Sequence, residues 1–181
     1  MAASPSLSGN EFVPQPVPED FVDELQRVQK TAQAITSILD LDQLIDSIVN
    51  DVARSFGCLK ASVFLHDEER QEMVLAAVRG CSVHGKGDRL KIGQDGMVGH
   101  VAATGRMHYA PDVRKDPYYI RCQPGTLSEV AIPLCVGHQM VGVFTASHPG
   151  LDAFPRPKLR ILEALCDHMA IAIHNAQRFN Q

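Results

Sequence analysis

In DPYYIRCQPGTLSEVAIPL, residues 116–134, a cysteine, two tyrosines and an arginine stand just ahead of an apolar strand. A thiol in such a loop can be a nucleophile, a metal or redox ligand, or an ordinary loop residue. Cys122 is therefore the residue on which an enzyme and a sensing module part company. Beside it, Tyr119 and Arg121 could stack on and hydrogen-bond a planar or anionic ligand; anchoring the loop on the sheet is an equal reading for Tyr119 and the favoured one for Tyr118.

Other residue clusters are less specific. The five cysteines and eight histidines include no CxxC and no HExxH. The nearest pairs are Cys81-x-x-His84 and Cys166-x-His168. Residues two apart on a helix diverge by about 200°, so Cys166 and His168 do not converge. Cys81 and His84, in the loop GCSVHGKGD, supply half a metal site at most and read as surface loop residues; no metal is expected. Cys58, Cys135 and Cys166 lie in or beside apolar segments, where cysteine packs as a small hydrophobe. In GQDGMVGHV, glycines precede a helix start, and free N–H groups there could hold an anionic group, with Gly99 and His100 as candidate contacts. The same glycines also suit a tight turn and close helix–sheet packing, and both readings stay open. The segment is neither a Walker A nor a GxGxxG motif.

The elements that must position these residues follow from bulk properties and periodicity. At 181 residues, 45% apolar and 21% charged, the chain suits one packed domain plus an extra helix or arm. A net charge of −4 argues against gripping a nucleic acid backbone. No apolar run approaches the roughly 18 residues of a membrane helix, and MAASPSLSGNEFVPQPVPED lacks the basic and apolar regions of a secretory signal. An odd number of scattered cysteines fits reduced thiols and a cytoplasmic location.

Residues 1–19, rich in Pro, Ser and Gly, are read as a mobile arm. Residues 20–39 carry Phe21, Leu25, Val28, Ala32, Ile35 and Leu39 at alternating spacings of four and three, a heptad seam that favours pairing with a second chain over an amphipathic helix lying on its own domain. A second helix, in LDLDQLIDSIVNDVARSFG, takes Asp40 or Asp42 as N-cap and Gly57 as its stop. Its wide apolar face runs from Leu41 through Ile45, Val49 and Val52 to Phe56. KASVFLHD and EMVLAAVRG form a hairpin, RLKI a short strand, and Asp95 to Gly105 a short helix. RMHYAPDVRKDPYYIRCQPGT reads as a long irregular connection. EVAIPLCV and MVGVFTASH form a second hairpin around GHQ. The last helix is placed from about Lys158 to Phe179, with a seam of Leu162, Leu165, Met169, Ala172, Ala176 and Phe179. This order predicts an α+β fold: an antiparallel sheet covered on one face by terminal helices, with a short helix, loops and a ligand pocket on the other.

GMVGHVAATG, PDVRKDP, the SEVAIPL strand, the VGV return strand and AIAIHNA, in this order, resemble a GAF domain. The resemblance spans about residues 38–179, and residues 40–181 are assigned to that domain. It implies a GAF/PAS-like six-stranded antiparallel sheet with N- and C-terminal helices on one face and a pocket on the other. It also implies a sensory role in signal transduction, a homodimer, and an output domain or kinase partner; on the charge and hydropathy above, no nucleic acid or membrane contact is expected. Within such folds, the free methionine-(R)-sulfoxide reductases use an attacking thiolate, resolving thiols and acidic residues. Cys122 and Glu129 fall where that subgroup has its reactive cysteine and a substrate carboxylate. Its other cysteines correspond to Val98 and to Gly87 or Asp88, and its paired aspartates to residues 145–148, which hold no carboxylate. Cys81 remains a candidate resolving thiol from a neighbouring loop. No bilin-type Cys-His pair and no NKFDE signature is present, and Leu127 stands where haem-binding relatives place a histidine, so the cofactor is unknown. The expectation is a small-molecule sensor and not an enzyme, with Tyr119, Arg121, Cys122, Glu129, Gly99 and His100 at the ligand site. A redox or metal sensor based on Cys122 is the further alternative.

Overall fold

Alternation of side chains along strands divides the core in two. The computed structural model describes residues 41–179, so the arm at 1–19 and the seam at 20–39 lie outside the described residues. In β1 (Lys60–Asp67), Ala61 and Val63 point to one face while Lys60, Ser62 and Phe64 point to the other. In β5 (Ser128–Val136), Val130, Ile132 and Leu134 join the first face, and Glu129 and Ala131 the second. Between them runs β6 (Gln139–His148), with Phe144 and Ala146 on the first face and Val143 and Thr145 on the second.

The six strands form one antiparallel sheet in the order β3-β2-β1-β6-β5-β4. β2 (Glu72–Arg79) pairs with β1 through a bulge: Val63 faces Ala77, but Phe64 faces Leu75, leaving Ala76 as the extra residue. The bulge turns Met73 and Leu75 toward the second face and leaves Ala77 on the first. β3 (Arg89–Lys91) closes one edge.

The other edge corrects the sequence reading. β4 (His108–Ala110) pairs with β5 inside what reads as an irregular connection. Three residues ending at Ala110, just before Pro111, are too short to show a period, and the strand exists because β5 offers its free edge.

Helices cover the first face. The helix α1, residues 41–55, buries Ile45, Val49, Val52 and Ala53, and Cys58 N–H bonds the Ala53 carbonyl at 2.8 Å just past the turn at Gly57. Residue 41 is already helical, so Asp42 lies inside the helix and is not its cap. The long helix α3 (Arg156–Phe179) begins two residues earlier than expected, directly after Pro155. It buries Leu162, Cys166, Met169, Ala170, Ile173 and Ala176. The expected seam members Leu165 and Ala172 are only half-buried, because a helix lying on a sheet presents a broad stripe rather than a narrow heptad line.

On the second face, α2 (Gly96–Thr104) packs Met97, Val98 and Val101 against Phe64, Met73, Leu75 and Val143. Its ends match the expected ones: Asp95 precedes it, and Gly105, at φ 66°, donates to the Val101 carbonyl at 2.8 Å. Among the described residues, no helix is long and apolar enough to cross a membrane.

Leu162 is fully buried between α3 and the sheet. Leu162→Ala should therefore cost about 2–5 kcal/mol in urea denaturation. Arg160→Ala, two residues away on the exposed side, should change stability by less than about 0.5 kcal/mol. Equal effects would mean that α3 sits in a different rotation.

Candidate functional site

Three adjacent strands place a polar row on the otherwise apolar second face. Lys60 on β1 pairs with Ser147 on β6, which pairs with Glu129 on β5, so the three side chains leave the sheet side by side. All are buried: Lys60 is 9% exposed, Glu129 6% and Ser147 0%. Lys60 Nζ lies 3.9 Å from Glu129 Oε2. The same Nζ donates to Cys122 Sγ at 3.0 Å. The Ser147 hydroxyl has no hydrogen-bond partner among the described residues. One row further along, Ser62 and Thr145 share a hydrogen bond of 2.5 Å.

Lys60, Glu129, Cys122 and Thr145 form the floor of a cavity of about 80 Å³. That is several times the roughly 10–15 Å³ one water needs, so it admits a small ligand. Phe64, Leu75, Leu90, Met97, Val98 and Ile120 supply apolar walls. Lys60, Glu129, Cys122 and Thr145 supply polar ones, and Asp88, Asp95 and His84 stand with them.

Burial sets the electrostatics. Desolvation raises the Glu129 carboxyl above its ordinary value, and the Lys60 ammonium pulls it back less than burial pushes it up. At Lys60, burial alone works against the ammonium, but Glu129 and Cys122 together outweigh it and raise the group. The pair is an ammonium held by two neighbours beside a carboxyl held reluctantly as an anion.

The short helix reaches the cavity because Gly99 allows it. A Cβ on Gly99 would stand 2.6 Å from the Lys91 carbonyl oxygen. Without one, the Gly99 carbonyl accepts Gly93 N–H at 2.8 Å, and α2 settles on the 91–94 turn. Asp95 does not cap the helix it precedes, since its carboxylate accepts Lys91 N–H at 2.7 Å. The first turn of α2, with Gly96, Met97 and Val98, thus meets the cavity without a side-chain cap.

The loop carrying Cys122 is tied down at its start. Asp116 accepts from Tyr118 N–H at 2.9 Å and pairs with His108 Nε2 on β4 at 2.6 Å. Tyr118 stacks on His100 of α2 with ring centroids 3.7 Å apart. Tyr118, read from sequence as a loop anchor, does that work with His100, which was expected to be a ligand donor. Cys122 and Glu129 come together at the floor. Tyr119 packs half-buried against the second-face core, where burial raises its phenol. Arg121 is exposed and lies outside the cavity lining, and Gly99 acts through close packing.

Lys60 and Thr145 were missed. A signal existed: in KASVF the polar Lys60 and Ser62 alternate with the buried Ala61 and Val63, and so share a face with Phe64. Asp88 and Asp95 also bring carboxylates to the cavity from elements other than the return strand. His84, read as a surface loop residue, stands at the mouth, bonded to Asp88 at 3.1 Å. Val98 occupies the wall where the reductase resemblance would need a second thiol. Among the described residues, no group of three His, Cys, Asp or Glu side chains could hold a metal ion.

An antiparallel sheet with helices on one face and a charged cavity on the other defines a pocket-bearing α+β domain. The chain belongs to the GAF domain family, whose model matches residues 38–174. It is 26% identical over 152 residues to the DNA-binding transcriptional activator HyfR of Escherichia coli (strain K12), covering 79% of this chain and 23% of that protein. The chain spans about a quarter of the length of the curated relatives it matches. Among solved structures, it is similar to the GAF domain of an Acinetobacter phosphoenolpyruvate-protein phosphotransferase, with TM-score 0.70, 21% identity, and 86% and 97% of the two chains covered. It is also similar to the free methionine-R-sulfoxide reductase of Neisseria meningitidis bound to its substrate, with TM-score 0.68, 22% identity, and 76% and 80% covered.

Removing the ammonium tests the electrostatics. Lys60→Met leaves a buried carboxylate without its cation, which should cost about 3–5 kcal/mol near neutral pH. A carboxyl raised in the fold ionises first in the unfolded chain, so the folded state loses stability as pH climbs from the ordinary carboxylate value through the raised one. Urea titrations should therefore show a smaller loss at about pH 5 than at about pH 8. A cost independent of pH would mean that Glu129 is not the group left exposed.

Proposed function

We propose that this GAF domain is a sensory module in which a small molecule occupies the cavity above Lys60, Cys122 and Glu129. The observation that carries this reading is a buried carboxylate facing the cavity with, among the described residues, an ammonium at 3.9 Å as its one ionic partner. Burying such a pair costs stability unless further partners complete it, and a ligand donor is the missing partner. The uncapped first turn of α2 adds N–H groups for an acceptor on the same ligand. A molecule with a donor or cationic group at one end and an acceptor or anionic group at the other fits both walls.

The signal would leave through the helices. Ligand contacts bias the loop of residues 116–127 and α2, which share the sheet with α1 and α3. Ile161 and Ile171 on α3 are 54% and 52% exposed, and Leu44 on α1 is 42% exposed, leaving an apolar outer surface for a second copy. An output domain or a kinase partner would read the resulting change.

Native mass spectrometry and thermal shift against a panel of small zwitterions and anions test this reading. The expected result is a dimer that retains or gains one ligand per chain, with Glu129→Gln folded but unresponsive. A monomer whose melting ignores the panel would sink it.

A second reading is favoured by one observation: Cys122 and Glu129 line one cavity, the thiol and one of the carboxylates that a reductase of free methionine sulfoxide would use. Asp88 and Asp95 offer carboxylates for a substrate ammonium, with Cys81 as candidate resolving thiol. NADPH-coupled turnover of free methionine sulfoxide, with thioredoxin supplying electrons, decides it. Activity lost in Cys122→Ser supports the reductase, and no activity in the unaltered chain rejects it.

A further inference from the structure

The contact between Lys60 Nζ and Cys122 Sγ joins a strand to a loop that otherwise have little reason to meet. The two residues are 62 apart in sequence, their terminal atoms are 3.0 Å apart, and both line the same cavity. Lysine and cysteine at this distance form more than an ordinary polar contact once the sulfur is oxidised.

We propose that Lys60 and Cys122 are a modification site: a small hydroperoxide entering the cavity oxidises the Cys122 thiol, and the Lys60 amine then captures the oxidised sulfur in a covalent S–N cross-link. In the first step the thiol sulfur takes the terminal oxygen of the hydroperoxide. The O–O bond breaks, the peroxide is reduced to an alcohol or water, and Cys122 becomes a sulfenic acid. The second step is a condensation that needs no further oxidant. The Lys60 ammonium passes one proton to Glu129, the freed amine nitrogen attacks sulfur, and the S–O bond breaks. The hydroxyl leaves as water with a second proton from Lys60. The third hydrogen stays on the new S–NH bond, and Glu129 ends as the neutral acid.

Glu129 suits the proton's destination on geometry, at 3.9 Å from Nζ, and burial favours its neutral form. Preorganisation gives the amine its advantage over a second oxidation, because the attacking and accepting atoms already sit at contact distance. The other thiols are poorer rivals. Burial pushes Cys58 up to about 11 and raises Cys135 and Cys166 as well. Cys81 is the exception: it stands near enough for its charge to bear on Lys60, and a Cys81–Cys122 disulfide is the competing product.

Cross-linking would withdraw the one cation that the described residues place beside Glu129 and pin the 116–127 loop to β1. It would thereby link oxidant to the shape and charge of the cavity, whichever ligand that cavity takes. Excess thiol reverses it by attacking the sulfur and releasing the amine.

The test uses the reduced chain treated with stoichiometric hydrogen peroxide, digested and analysed by mass spectrometry. The expected product is a Lys60–Cys122 peptide pair lighter than its parts by two hydrogen atoms, abolished by dithiothreitol and absent from Cys122→Ser. Lys60→Arg, checked for an intact thermal transition, keeps a cation beside Glu129 and should stop at sulfenic acid on Cys122 with one equivalent of peroxide and pass to sulfinic acid with excess, with no cross-link in either case. Cys81→Ser should cross-link at the level of the unaltered chain. A Cys81–Cys122 disulfide, sulfinic acid at Cys122 with Lys60 free in the unaltered chain, or no oxidation of Cys122 under excess peroxide would each overturn the proposal.

Discussion

The buried Lys60–Glu129 pair constrains the whole second face of the sheet. Both charges are out of water, and each tolerates burial only because the other is near. Keeping them near requires β1, β6 and β5 to hold register, since a one-residue slip on any strand would turn Lys60 or Glu129 toward the helices. Fully apolar neighbours on the first face, from Val63 to Ile132, enforce that register. The hydrophobic core under α1 and α3 therefore places the polar row on the opposite side.

The cavity above the row depends on two close approaches. Gly99 lets α2 sit against the 91–94 turn, where any side chain would meet the Lys91 carbonyl. Asp116 ties the start of the Cys122 loop to His108, and Tyr118 lays its ring on His100 of α2. Loop, short helix and edge strand are thus fastened to each other at one corner, while the rest of the loop, with Ile120 and Cys122, hangs over the floor. A ligand, or a bond, formed at that floor acts on the less restrained end of this assembly.

Much of the fold was legible because periodicity carries it. The hairpin around residues 68–71, the helix ending at Gly105 and the long closing helix follow from alternation, turn residues and apolar stripes. β4 was not legible, because three residues carry no period and their pairing depends on a partner strand almost twenty residues away. The position of Glu129 in the site was legible from resemblance, while Lys60 was passed over because a single lysine at a strand start ordinarily faces water. Its role appears only when β6 is seen to stand between it and Glu129.

The sequence by itself determined the order of the elements other than β4, the two faces of the strands and membership of the GAF family, all of which rest on local spacing and residue type. Tertiary structure alone decided that Cys122 meets an ammonium, that His100 serves Tyr118, and that Arg121 stays at the surface. Those outcomes depend on residues tens of positions apart arriving at the same few ångströms. Spacing along the chain records which face a side chain leaves from, and only packing across strands settles what it meets there.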